Sequence, residues 1–256
     1  MKKQIPNLFT LLNLFFGCIA IVFALQNGID IIYSKDGEQI IGLKENICLA
    51  SLFIVIAAVV DFLDGFVARL LDVPSEMGKQ LDSLADVVSF GVAPGIILYQ
   101  FLRMAFIRDT AGMETSTLLL VPAFIFSCAG AYRLARFNVD NTQSYGFKGV
   151  PIPAAGLVIA SLPMIYWFGN VDFIYNLVLN KWFLYALILL LSWLMVSKLP
   201  MMALKFKDYT IKNNMPAIVL LAIGILSVVL LKWLAVPVIF IAYIILSLAL
   251  KNKTTT

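Results

Sequence analysis

The sequence predicts an all-α bundle built into a lipid bilayer, and three observations carry that reading. Of the 256 residues, 61% are apolar and 13% charged, whereas a soluble domain has about half apolar and about a quarter charged residues. Apolar runs of about 20 residues recur from one end to the other. Each is long enough to cross a hydrocarbon core of about 30 Å at about 1.5 Å per helical residue. Nothing between the runs is long or polar enough to form a separate soluble domain, so the whole of 1–256 is expected to be one integral membrane domain.

Eight spans are expected, at 8–26, 48–70, 84–106, 117–137, 152–169, 182–199, 214–231 and 233–250. The first follows Lys2 and Lys3, and no A-x-A-like cleavage site ends it, so it is expected to stay as a helix. The second ends in Asp61-Phe62-Leu63-Asp64-Gly65-Phe66-Val67-Ala68-Arg69, and the third opens with Gly78-Lys79-Gln80-Leu81-Asp82-Ser83-Leu84-Ala85-Asp86. The fourth closes with Arg133-Leu134-Ala135-Arg136-Phe137-Asn138, and the fifth follows Phe147-Lys148-Gly149-Val150-Pro151. The sixth ends at Ser197-Lys198-Leu199-Pro200, before the basic Lys205-Phe206-Lys207. Little more than Lys232 and Trp233 separates the last two, which form either a tight hairpin or one long broken element. A core over 1–199 with two extra C-terminal helices over 213–250 is the expected organisation.

Loops that stay inside the cell are enriched in Lys and Arg. With the N-terminus inside, the inner side carries Lys2, Lys3, Arg69, Lys79, Arg133, Arg136, Lys148, Lys198, Lys205, Lys207, Lys212, Lys251 and Lys253. The outer side keeps Lys35, Lys44, Arg103, Arg108, Lys181 and Lys232. Both termini are therefore expected on the cytoplasmic side. The ends of spans two, four and six and the starts of three, five and seven should share one boundary.

Composition also removes several kinds of chemistry. There is no histidine, the commonest general base and transition-metal ligand. Cys18, Cys48 and Cys128 lie far apart without CxxC spacing, so neither a disulfide framework nor a zinc site is indicated. The net charge of +4 is small and scattered, which suits contact with anionic lipid and offers no stripe for nucleic acid.

Against this apolar background four aspartates stand out. An ionisable group within a membrane helix costs about 2.5–3.5 kcal/mol on insertion scales and is by default functional. Asp61, Asp64, Gly65 and Ala68 fall at i, i+3, i+4 and i+7, and Gly78, Asp82 and Asp86 at i, i+4 and i+8, so each set lines one helix face. A short connection containing Pro74 makes the two helices antiparallel neighbours, with the carboxylate faces at one depth. Four such anions would repel unless hard divalent cations held them ionised, and oxygen-only ligands select Mg²⁺, Mn²⁺ or Ca²⁺. Gly65, Ala68 and Gly78 clear room on those faces, and Arg69 beside them suits a phosphorylated ligand. The competing reading is a structural cluster or an ion pathway.

The pattern Asp61-x2-Asp64-Gly65-x2-Ala68-Arg69-x8-Gly78-x3-Asp82-x3-Asp86 resembles the complete signature of the CDP-alcohol phosphatidyltransferase family. That resemblance implies a six-helix core with two divalent ions, Mg²⁺ or Mn²⁺, on residues matching Asp61, Asp64, Asp82 and Asp86. It implies CDP-diacylglycerol as donor lipid, with its cytidine against Gly65, Ala68, Arg69 and Gly78, and CMP as product. It gives Asp86 the role of proton acceptor for the attacking alcohol. A homodimer in a bacterial inner membrane, with the active site facing the cytoplasm, is implied as well.

Residues outside the signature bear on the acceptor. Asn7, Thr10 and Asn13 make a polar stripe at the start of span one, either a helix cap with a polar edge or a wall facing the nucleotide. Arg133 and Arg136 are one turn apart, and a guanidinium pair suits a carboxylate or phosphate; alternatively both snorkel to headgroups. Together with Asn138 and Lys148 they resemble the serine-accepting branch, which implies L-serine as acceptor. Glycerol 3-phosphate would use the same arginines. Outside the family, an ion-coupled transporter and a prenyltransferase also place carboxylates in membranes. The first lacks broken helices or internal symmetry here, and the second would lack the interposed Gly65, Ala68 and Arg69.

Overall fold

In a computed structural model of the chain the apolar runs are helical, and the sheet structure among the described residues is two short antiparallel ladders. The structure describes residues 5–26, 29–33, 39–70, 75–110, 115–140, 147–169, 171–202 and 211–250. Lys2, Lys3, Lys35, Pro74, Lys205, Lys207, Lys251 and Lys253 lie outside the described residues, as do the side chains of Ala68, Arg69 and Lys212.

Helix α1 (Ile5–Leu25) packs along α2 (Ile47–Leu70), and the ladder of β1 (Ile29–Tyr33) with β2 (Gln39–Leu43) lies between them in the chain. Phe23 and Phe53 stack at 5.4 Å between the two helices. The third apolar run is one helical rod over residues 76–110, made of α3 (Glu76–Asp86), a π-helical segment (Val87–Val92) and α4 (Ala93–Thr110). It starts earlier than its hydropathy suggests because Ser75 caps it, accepting from Gly78 N at 2.9 Å.

A π turn disturbs the regular ladder of backbone hydrogen bonds and is common at functional sites. This one begins one residue after Asp86. Neighbouring helices use its polar groups: Ser127 Oγ donates to Gly91 O at 2.8 Å, and Ser89 Oγ donates to Asn13 O at 3.0 Å. Such contacts need close backbones, which small residues permit. A Cβ at Gly17 would sit 2.2 Å from Ser89 Oγ, and one at Gly156 would sit 2.8 Å from Phe90 O.

The next run is α5 (Thr117–Leu120), a 3₁₀ turn at Val121–Phe124, and α6 (Ile125–Val139). After β3 (Phe147–Lys148) comes α7 (Ile152–Phe168), the central helix, which packs against α2, α4, the π segment and the C-terminal helix. The short α8 (Asp172–Val178) meets α9 (Lys181–Val196) at 69°. β4 (Pro200–Met201) pairs with β3, and α10 (Ile211–Leu231) and α11 (Ala235–Leu250) close the chain.

Among the described residues five helical runs are long and apolar enough to cross a membrane, and the bent pair α8–α9, taken as one span, makes a sixth. At 17 residues α7 is shorter. The expected eight segments each fall on a helix, and the alternative left open for the last two is resolved. Met215–Ala249 is a 35-residue apolar run, in which residues 224 and 239 would lie about 22 Å apart along a straight helix. Instead a Cβ at Gly224 would be 3.7 Å from Ile239 Cδ1, and Lys232 between them has φ 50°. The run folds back into a tight hairpin. Its outer faces expose Leu221, Ile225, Val229, Ile241 and Ile245, an apolar surface of the kind that lipid covers. The chain is a multi-pass membrane bundle.

Hydrogen bonds order the two ends of the bundle. Lys79 reaches Asn138 O at 3.2 Å, Arg136 reaches Val196 O at 2.6 Å, and Val150 N reaches Leu194 O at 3.1 Å. The start of α3, the end of α6, the start of α7 and the end of α9 therefore share one boundary, as the sequence predicts. Cys48 Sγ to Pro163 O, Gln100 Nε2 to Ala24 O and Arg108 to Asn176 mark the opposite end.

Candidate active site

The four aspartates converge at the first boundary. One carboxylate oxygen each from Asp61, Asp82 and Asp86 lies within 4.8 Å of the others. Asp61 faces both Asp82 and Asp86, while Asp64 faces Asp82. Pairing therefore runs in opposite order along the two helices, as the antiparallel expectation requires. The packing that achieves it differs from that expectation. α1 lies against both α2 and α3, whereas α2 and α3 meet through their carboxylates rather than by backbone packing.

Polar side chains of α1 fill the seam. Asn13, fully buried, directs Nδ2 to Asp61 Oδ1 and to Asp86 Oδ1, each at 3.4 Å. The opposite amide orientation would set its oxygen against two carboxylates, so this one is electrostatically required. Its Oδ1 is buried with no hydrogen-bond partner among the described residues. The Thr10 hydroxyl donates to Asp64 of α2, with Pro6 O at 3.2 Å on its other side. Asn7 lies over the first turn of α3, where a Cβ at Gly78 would come within 3.1 Å of its Oδ1. Asn7 and Thr10 thus line the same opening as the carboxylates, and Asn13 reaches the carboxylates themselves.

Pro6, Asn7, Thr10, Asp61, Asp64, Gly65, Ser75, Gly78, Lys79 and Asp82 line a cavity of about 370 Å³, within the range of small-ligand sites. Gly65 contributes bare backbone, with nothing within 4 Å of the place its Cβ would take. Among the described residues no cationic side chain forms an ion pair with any of the four aspartates. An oxygen-only cluster of this charge, with amide and hydroxyl donors around it, is able to hold a hard divalent ion.

The acceptor-side candidates divide. Arg133 is buried, and its charge reaches Asp86. Its guanidinium stands over the Phe137 ring at 5.4 Å, and its Nε has no hydrogen-bond partner among the described residues. Arg136, one turn on, is turned away and bonds to Val196 O at 2.6 Å, Ser197 O at 3.0 Å and Lys148 O at 3.3 Å. It satisfies carbonyls left open at the end of α9. Lys148 pairs with Asp140 at 3.0 Å. Asn138 donates to Ser83 Oγ at 2.8 Å, tying α6 to the helix that carries Asp82 and Asp86. The structure thus brings Arg133 to the carboxylates and engages Arg136, Asn138 and Lys148 elsewhere.

Three contributors lie outside the sequence-based set. Lys79 and Ser75 line the cavity, and Ser89 holds the Asn13 backbone. Lys79 and Ser75 flank Gly78 closely enough to have been found from the signature. Ser89 is unreadable without the π turn that aims it.

Residues 3–195 match the family model for CDP-alcohol phosphatidyltransferase. A Helicobacter pylori protein named CDP-diacylglycerol–serine O-phosphatidyltransferase is 36% identical over 201 residues, 76% of this chain and 70% of its own. A Mycobacterium tuberculosis protein of the same name is 32% identical over 249 residues, 93% of this chain and 75% of its own. A Bacillus subtilis protein, also so named, is 37% identical over 124 residues, 48% of this chain and 65% of its own. With three quarters of its length matched and the signature carboxylates gathered at one end of the bundle, the chain belongs to the CDP-alcohol phosphatidyltransferase family of enzymes, which transfer phosphatidyl groups.

Proposed function

We propose that this enzyme transfers the phosphatidyl group of CDP-diacylglycerol to the hydroxyl of L-serine, giving phosphatidylserine and CMP. The observation that carries the acceptor is that relatives matching up to 93% of the chain bear the serine enzyme's name. Buried Arg133 beside Asp86 supplies a site for the serine carboxylate.

Asp61, Asp64, Asp82 and Asp86 would hold two divalent ions, Mg²⁺ or Mn²⁺. When bound, such ions neutralise the pyrophosphate and stabilise the departing CMP. The residues of the chain do the rest. Gly65 and Gly78 form the wall for the nucleotide, the family signature adds Ala68 and Arg69, and Asn7, Thr10 and Asn13 close it from α1. Thr10 and Asn13 also fix the carboxylates from the side. Arg133 orients serine by its carboxylate. As the serine oxygen bonds to the diacylglycerol-bearing phosphorus and the bond to the CMP oxygen breaks, Asp86 takes the hydroxyl proton. The acyl chains stay among membrane lipid along the apolar helix faces. The enzyme works as a homodimer in the inner membrane, with the site and both termini on the cytoplasmic face.

Labelled serine tests the proposal directly. Purified protein should incorporate it into solvent-extractable lipid only when CDP-diacylglycerol is present, and Asp86→Asn should lose this while keeping its fold. Incorporation without the liponucleotide, or full activity in Asp86→Asn, would overturn the assignment.

A further inference from the structure

Outside the matched residues 3–195, α11 grips the backbone of Met202, just past the end of the core. The Tyr243 hydroxyl donates to Met202 O at 3.0 Å, and Met202 N donates to Ser247 Oγ at 3.2 Å. Ser247 Oγ also lies 2.7 Å from Tyr243 O, one turn back, so the two side chains form a single clamp. Both are buried, at 6% and 4% exposure. Met202 follows β4, which pairs with β3, and Arg136 of α6 bonds to Lys148 O of β3 and to the end of α9. A continuous line of contacts, side chain to backbone at both ends and backbone pairing of β3 with β4 between, therefore runs from α11 to α6.

Arg133 stands one turn before Arg136 on that helix. A buried guanidinium with an unsatisfied N–H is costly to keep from water, so the helix that carries it has to be held in its orientation. Arg133 has an Nε without a hydrogen-bond partner among the described residues, and its charge interacts with both Asp86 and Tyr243. The geometry points to Tyr243 and Ser247 as positioning residues for the acceptor half of the site. By fixing Met202 they hold the end of α6, and with it Arg133, against Asp86. The C-terminal hairpin is thus a working part of the acceptor site. This rests on the proposed role of Arg133 toward serine.

The test is steady-state CMP release by the purified full chain in detergent, at saturating CDP-diacylglycerol and Mg²⁺ with serine varied. Tyr243→Phe keeps the ring and removes the hydroxyl. It should raise the serine KM about fivefold, the size of one lost hydrogen bond. kcat and the KM for CDP-diacylglycerol should stay within about twofold. Ser247→Ala should behave alike and Ser247→Thr like the wild type, a pair that carries the test if Tyr243→Phe does not fold. In an Arg133→Ala background Tyr243→Phe should add nothing, because it acts through that arginine. An unmoved serine KM in Tyr243→Phe, or an effect that adds in full to Arg133→Ala, refutes the clamp. A wild type that ignores serine instead refutes the proposed function, and the inference with it.

Discussion

Gly65 separates space kept for a ligand from space needed for packing. On α2 it lines the cavity beside Asp61 and Asp64, and a Cβ placed there meets no atom within 4 Å. Replacing Gly65 by Ala therefore strains nothing in the protein alone. Alanine in a helix interior is worth about 0.5–1 kcal/mol over glycine, so the melting temperature in detergent should hold or rise. If the opening is where the nucleotide meets the helix backbone, the added methyl meets the substrate instead. Overpacking of that kind costs about 1–3 kcal/mol, or roughly a 5- to 150-fold rise in the KM for CDP-diacylglycerol. The serine KM should not follow. Gly224→Ala is the control, since its Cβ would make ordinary contact with Ile239 at 3.7 Å and should leave both KM values alone. A Gly65→Ala enzyme with an unchanged CDP-diacylglycerol KM would refute the assignment of this wall to the nucleotide.

Other perturbations separate site from scaffold. Gly17→Ala should lower stability by about 1–3 kcal/mol, because its Cβ would meet Ser89 Oγ at 2.2 Å and Ser89 Cα at 2.8 Å; Ser89→Gly in the same chain should restore part of the loss in a thermal melt. Arg136→Ala should lower stability by on the order of 3 kcal/mol for its lost carbonyl contacts, seen as a lower melting temperature. Arg133→Ala breaks no carbonyl contact of that kind, so it should lower the melting temperature less than Arg136→Ala does while raising the serine KM; the reverse pattern would exchange their roles. Chelation should abolish CMP release and lower the melting temperature, and Mg²⁺ should restore both. At a hundredfold excess over its Kd it stabilises by about 2.7 kcal/mol, and a melting temperature blind to divalent ions would remove the cation from the cluster.

What the sequence made legible is local. The phase of the aspartates within each helix follows from residue spacing, and the structure finds Asp61, Asp82 and Asp86 together. What it hid depends on neighbours distant in the chain. Arg133 and Arg136 look like a pair at one-turn spacing, yet Arg136 is drawn to open carbonyls at the end of α9, some 60 residues further along. The third wall of the site is α1, and its hold on α3 passes through a π turn that no apolar periodicity announces. Hydropathy alone starts the third span at 84, because Glu76, Lys79, Gln80 and Asp82 are polar; the spacing of Gly78, Asp82 and Asp86 already asks for helix there, and Gly78, Lys79 and Asp82 line the cavity. The C-terminal hairpin has one breaking residue, Lys232, whose left-handed backbone is invisible in composition.

The most direct measurement is CMP release from CDP-diacylglycerol by the purified protein in detergent with Mg²⁺, comparing serine, glycerol 3-phosphate and inositol. The account predicts release that requires serine and yields phosphatidylserine. Release driven by another acceptor would contradict the role given to Arg133, and no release with any acceptor would contradict the catalytic reading of the carboxylate cavity.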